Sequence, residues 1–233
     1  MQFFPDGELF DNNVFVINNS LQVELVETDR ASITIIDNFY EDIVSVNREL
    51  SKLPITKVFN QYPDNGVTYF DGRKVYCNNM QGSEIPYTQD NSLTSKVGEY
   101  INYPESNIEV DTKILINCFQ FTDEFSLTDS YYSVHEDPYK NDTPGQTAMV
   151  VFLNDHYEDG EGMNFYSKLY HDTPFHNHNS MILKKDIDLI YTVQGKCNRA
   201  VLFDSEFTHG QHTPTDQFKK EMRYTQVIFF PLY

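Results

Sequence analysis

The feature that most constrains this chain lies in its second half, where short apolar runs alternate with turn-forming segments and no long helix intervenes. Six runs have the texture of strands: KILINCFQF from Lys113, YYSVHED from Tyr131, QTAMVVFLN from Gln146, MNFYSK from Met163, RAVLFD from Arg199 and MRYTQVIFF from Met222. β-Branched and aromatic side chains fill them, and these suit a pleated, half-buried surface. Between them lie clusters such as NDTPG and HYEDGEG, whose Gly, Pro, Asn and Asp favour turns. Short strands in series without crossover helices point to an antiparallel sandwich or open barrel. The expected fold is mainly β, a double-stranded β-helix or jelly roll with a few flanking helices.

The first half supports that core. Residues 8 to 26 alternate polar and apolar positions around an Asn-rich turn, and ITIIDNFYED from Ile33 reads as a buried strand ending in a polar turn. EDIVSVNRELSKL then places Ile43, Val46 and Leu50 at helical spacing, and SLTSKVGEYI from Ser92 is a second expected helix. Residues 56 to 90 read as loops with short strands. No repeat or linker divides the 233 residues. A single domain, 1–233, is therefore expected, with 1–112 supplying N-terminal strands and supporting helices and 113–233 the jelly-roll core with the metal site.

Charge and cysteine content exclude several classes of function. The formal net charge of -18 repels phosphate backbones, and no Lys/Arg cluster offsets it, so no nucleic-acid partner is expected. Cys77, Cys118 and Cys197 are odd in number and scattered, which argues against a disulfide framework or a thiolate zinc site and fits a cytoplasmic protein. No apolar run reaches membrane-spanning length, and MQFFPDGELFDNN lacks a signal-peptide pattern.

The sharpest chemical signal is His135-Glu136-Asp137 at the end of the run YYSV. In a strand, residues i and i+2 share a face. His135 and Asp137 therefore project together, with Glu136 on the other side. One imidazole and one carboxylate are two thirds of the facial triad that holds non-haem Fe(II) and leaves three coordination positions open. In isolation the pair reads more readily as a surface histidine beside a turn carboxylate; its weight comes from the histidines and arginine downstream. The run RAVLFDSEFTHGQHTP offers His209 and His212 as a third ligand. His209 is the expected one, because a short Asp-Ser turn leads to it and Gly210 relieves crowding, with His212 the rival. His156, His171, His176 and His178 read as solvated loop residues.

A 2-oxoglutarate co-substrate chelating that iron needs an anchor for its distal carboxylate, and a guanidinium's planar fork suits the task. Arg223 opens the last strand, shortly after the histidine pair, with Thr225 two residues on and facing the same side. The competing reading of Arg223 is a surface ion pair with Glu221 or another acid.

In order, IIDNFYED, HEDP, VFLND, GEGMNFYSK, GKCNRAVLFDSEFTHG and MRYTQVIFF resemble the Fe(II)/2-oxoglutarate oxygenase superfamily, and most nearly its prolyl-hydroxylase-like branch, across residues 33 to 230. The resemblance implies His135, Asp137 and His209 as iron ligands, with Arg223 and Thr225 holding 2-oxoglutarate. It further implies an O2-dependent hydroxylation of a peptide, protein or small-molecule substrate with succinate and CO2 as co-products. Tyr131, Tyr132 and Phe165 are candidates to line the substrate pocket, or ordinary core. Two departures stand out: Phe152 occupies a position where relatives often carry a tyrosine hydroxyl, and Glu161 splits the Gly-Gly turn between Gly160 and Gly162. Asp137 argues against halogenating relatives, which have a small residue there. The alternatives are a non-catalytic jelly-roll module and a cupin-like metalloenzyme that does not use 2-oxoglutarate.

Overall fold

The runs read as strands pair into two antiparallel sheets that face each other. The computed structural model describes residues 12–51, 56–62, 67–75, 113–121, 131–137, 146–167 and 180–231. Its strands are β1 (Gln22–Glu27), β2 (Ser32–Asp37), β3 (Thr56–Tyr62), β4 (Val67–Val75), β5 (Lys113–Phe121), β6 (Tyr131–Val134) and β7 (Gln146–Phe152). They continue with β8 (Gly162–Tyr166), β9 (Ser180–Leu183), β10 (Leu189–Gln194), β11 (Arg199–Asp204), β12 (His209–His212) and β13 (Arg223–Pro231). Two helices are described, α1 (Ile43–Ser51) and the single turn α2 (Gln217–Lys220).

The larger sheet runs β1-β2-β11-β7-β13-β5-β4-β3. The smaller runs β10-β8-β12, and a bridge between His135 and His209 joins it to the pair β6-β9. From β5 onward the chain passes back and forth between the two: β5, β7, β11 and β13 lie in the large sheet, β6, β8, β10 and β12 in the small one. That path is a jelly roll, as expected from the spacing of strands and turns.

Strand alternation sorts the side chains. Ala148, Val150 and Phe152 of β7, Val201 and Phe203 of β11 and Val227 of β13 face Met163, Phe165 and Val193 of the small sheet. The intervening residues Met149, Val151, Ala200, Leu202 and Ile228 face outward and are covered by Val46 and Leu50 of α1 together with Phe15, Phe39 and Tyr40. The helix thus packs outside the large sheet, along the stripe that its spacing marked. Asp42 begins it by accepting from the Ser45 N–H at 3.1 Å and the Ser45 hydroxyl at 2.6 Å, and these bonds hold its carboxyl below the usual carboxylate range.

Two expectations change. The alternation over residues 8 to 26 becomes a strand only from Gln22; Asn12–Val14 form a turn of 3-10 helix, and buried Phe15 packs against Tyr40 with ring centroids 5.8 Å apart. Backbone bonds from Asn18 to Phe39 and from Glu41 to Val16 tie this segment down before β1 begins. Within 56–90, β3 and β4 form a regular antiparallel pair, longer than the short strands expected. SLTSKVGEYI lies outside the described residues. Among those described, no helix is long and apolar enough to cross a membrane.

Candidate metal centre

The site forms where β6 ends against β12. His135 and His209 exchange backbone hydrogen bonds, 2.8 Å from the His135 N–H to the His209 carbonyl and 2.9 Å in return. Residues that exchange both bonds stand directly opposite one another in an antiparallel pair, with side chains on one face. Their rings accordingly lie 4.2 Å apart, centroid to centroid. Asp137, two residues beyond His135, is held by its N–H bonding to the Ser205 carbonyl at 2.9 Å. Its Oδ2 lies 3.9 Å from His135 Nε2 and 3.4 Å from His209 Nε2. One ligand atom from each of the three side chains falls within 4.8 Å of the others.

The surroundings fix the protonation pattern that a metal requires. His209 is 3% exposed and its Nδ1 sits 2.7 Å from the Phe207 carbonyl, an acceptor that keeps the proton on Nδ1 and leaves the Nε2 lone pair toward Asp137 and His135. Phe203 packs edge-on to the same ring at 4.6 Å, and Phe165 lies beneath it at 6.3 Å. Glu136 turns to the opposite side, as alternation requires, where it is buried and accepts from the Thr208 hydroxyl at 2.6 Å.

His212 is not in this group. Three positions from His209 along β12, it falls on the opposite face of the strand, half-buried, and burial together with nearby Lys184 pushes its pKa down. His156 is a surface residue beside Glu221, at 3.7 Å. His171, His176 and His178, and the side chains of Tyr131 and Tyr132, lie outside the described residues. Phe165 is fully buried among Phe203, Phe207 and His209, so it is core that braces a candidate ligand.

Arg223 does not pair with Glu221 at the surface. It is 4% exposed, and its guanidinium lies over the Phe152 ring at 5.7 Å, on the inner side of the large sheet. Its Nη2 donates to the Gly162 carbonyl at 3.2 Å, while Nε has no partner among the described residues. Burial pulls its pKa down and the neighbouring Tyr157 and Glu161 push it back up. Thr225, buried and two residues on, shares that face. A buried guanidinium with an idle donor is unfavourable by itself and fits an anionic guest. Phe152 itself offers no hydroxyl, but Tyr157 packs edge-on against it at 5.4 Å and its hydroxyl lies 3.2 Å from the Asn154 N–H.

Glu161, in the sequence no more than an interruption of a glycine turn, has a larger place in the structure. It is fully buried, with Oε1 accepting from the Thr215 N–H at 3.0 Å and from the Thr215 hydroxyl, and with Oε2 unpartnered among the described residues. Burial, above all, raises its pKa. Its odd-numbered parity with inward-facing Met163 and Phe165 was the available signal.

No protein-family model matches the sequence. No curated protein matches it either. Among solved structures, the chain is similar to a prolyl-4-hydroxylase of Pseudomonas putida, at 13% identity and TM-score 0.42 over 75% of this chain and 77% of that one. It is also similar to an oxidoreductase of the 2OG-Fe(II) oxygenase family from Burkholderia pseudomallei, at 12% identity and TM-score 0.48 over 83% and 80%. A third likeness is to the epimerase SnoN, in a complex with Fe3+, alpha ketoglutarate and nogalamycin RO, at 12% identity and TM-score 0.49 over 87% and 79%.

Proposed function

We propose that this chain is an Fe(II)- and 2-oxoglutarate-dependent oxygenase that hydroxylates a C–H bond of a peptide side chain or small molecule. The observation that carries the reading is the convergence of two imidazoles and one carboxylate, donor atoms within 4.8 Å, in a jelly roll whose interior also holds the buried Arg223 guanidinium. Two neutral nitrogens and one carboxylate suit Fe(II) and leave half of an octahedron open. Neighbouring ligand atoms of an octahedral ion with bonds of about 2.1 Å stand roughly 3 Å apart. The 3.4 and 3.9 Å separations about Asp137 exceed that value, so the side chains would draw together to hold an ion.

When bound, iron, 2-oxoglutarate and O2 supply the oxidising power, and succinate and CO2 leave as co-products. The chain's residues do the rest. His135, Asp137 and His209 hold the metal on one side only. Arg223 and Thr225 hold the distal carboxylate of 2-oxoglutarate, which orients its keto acid end toward the metal. Phe152, Phe165 and Phe203 keep the interior apolar, which strengthens the Arg223–carboxylate attraction.

The test is turnover. Protein supplied with Fe(II), 2-oxoglutarate and O2 is expected to form succinate, and Asp137→Ala to form none. Metal binding without any 2-oxoglutarate binding would favour the cupin-like alternative instead, and failure to bind either would favour a non-catalytic module.

A further inference from the structure

Resting on that reading, we infer that Glu161 is a positioning residue whose protonated carboxyl donates a hydrogen bond to the distal carboxylate of the bound dianion, so that binding takes up a proton wherever Glu161 is ionised in the free protein. The geometry begins with two idle atoms. Glu161 Oε2 and Arg223 Nε are both buried, and neither has a partner among the described residues, so they are not bonded to each other. Both side chains face the interior between the sheets. Glu161 precedes Met163 and Phe165 in parity, and Arg223 lies over Phe152 while donating to the carbonyl of Gly162, next to Glu161.

The bonds on Oε1 leave Oε2 as the free oxygen of Glu161 among the described residues. Both Thr215 donors go to Oε1, which can accept them as the carbonyl oxygen of a neutral acid while Oε2 carries the hydrogen. Oε2 is left to carry the hydrogen, and a hydroxyl buried there needs an acceptor. A ligand carboxylate provides one, with Arg223 and Thr225 donating from the other side. An ionised Glu161 would instead repel the incoming carboxylate and compete for Arg223.

The charged groups around Glu161 agree with this. Burial, the largest effect, and Glu158 of the same turn favour the neutral acid, against the two Thr215 bonds and Arg223 of β13, which favour the ionised form, and burial prevails. Tyr157, in that turn, stays protonated because burial holds its pKa far up, and His212, across the β8–β12 pair from Gly162, has its pKa pushed down. Among the largest influences on Glu161, Arg223 is the cation.

The experiment is a calorimetric titration of anaerobic, Fe(II)-loaded protein with 2-oxoglutarate between about pH 6 and 9.5, in buffers of different ionisation enthalpy. Proton uptake is expected to grow toward one as Glu161 of the free protein ionises with rising pH, and there Kd rises about tenfold per pH unit. Glu161→Gln is expected to abolish the uptake and flatten the profile. With 2-oxopentanoate, which lacks the distal carboxylate, the wild type is expected to take up no proton, a control that needs no variant. Wild type that binds 2-oxoglutarate through Arg223 with a flat profile and no uptake overturns the inference and leaves the proposed function standing. Failure of 2-oxoglutarate to bind at any pH overturns both.

Discussion

At position 209 three constraints meet on one ring: a carbonyl 2.7 Å from Nδ1, the Phe203 edge at 4.6 Å and a reciprocal backbone pair with His135. A ring so fixed presents Nε2 without further loss of rotamer freedom, whereas His212 has none of these restraints toward Asp137. His209→Ala is expected to lower Fe(II) affinity by at least about 100-fold, by comparison with the 10–100-fold typical of losing only a ligand's supporting partner. His212→Ala is expected to change it less than threefold; equilibrium dialysis of iron measures both. Strand parity puts residues three apart on opposite faces, so the sequence separated these histidines without showing which of them faces His135. The pairing of His135 with His209 was legible only as strand order, because their register depends on turns between β6 and β12. For Glu161 only its inward parity was legible: Thr215, which orients it, lies 54 positions away and arrives only through the fold.

At the scale of elements, the turn into β8 controls how closely Glu161 and Arg223 approach. Gly160 adopts φ +91°, a left-handed conformation that glycine takes without strain. Gly162 has no room for a side chain, since a Cβ there would lie 2.0 Å from the Val193 carbonyl oxygen of β10. Gly162→Ala must therefore push β8 from β10 and move the carbonyl to which Arg223 donates. It is expected to cost about 3 kcal/mol or more and to lower Tm by about 6–12 °C, as thermal unfolding would measure. At the far end of the large sheet, Asp37 of β2 receives two bonds from Arg199 of β11, at 2.7 and 3.0 Å, and one from Lys196 at 2.8 Å. Arg199→Met is expected to cost about 1–3 kcal/mol in chemical denaturation, the worth of hydrogen bonds to a charged group. The IID of ITIIDNFYED marked the strand end, but not this ion pair, whose partner lies 162 positions on.

For the whole molecule, two carboxyl groups set opposite pH responses. Arg199, above all, lowers the pKa of Asp37 relative to the unfolded chain, so its stabilisation is present above the unfolded value near about 3.9 and is lost as pH falls through the folded one. Burial raises that of Glu161, so the contribution of its neutral form is full below the unfolded value near about 4.3 and is lost as pH rises through the raised one. Asp37→Asn is therefore expected to flatten the fall in stability below about pH 3.9, and Glu161→Gln the fall that begins above about pH 4.3, measured as Tm against pH. The overall architecture was the most legible feature, because alternating strands and turn clusters are local signals that persist from Lys113 to Phe230. The extent of the large sheet was not, since β3 and β4 join it through pairing with β5 that no local pattern announces.

Whether one metal is held by His135, Asp137 and His209, with 2-oxoglutarate anchored at Arg223, is tested most directly by anomalous diffraction at the iron edge from crystals grown anaerobically with Fe(II) and 2-oxoglutarate. The expected result is a single strong peak bonded to both Nε2 atoms and to an Asp137 oxygen, with ligand density running from it to the Arg223 guanidinium. A peak at His212, or 2-oxoglutarate whose distal carboxylate lies away from Arg223, would contradict it.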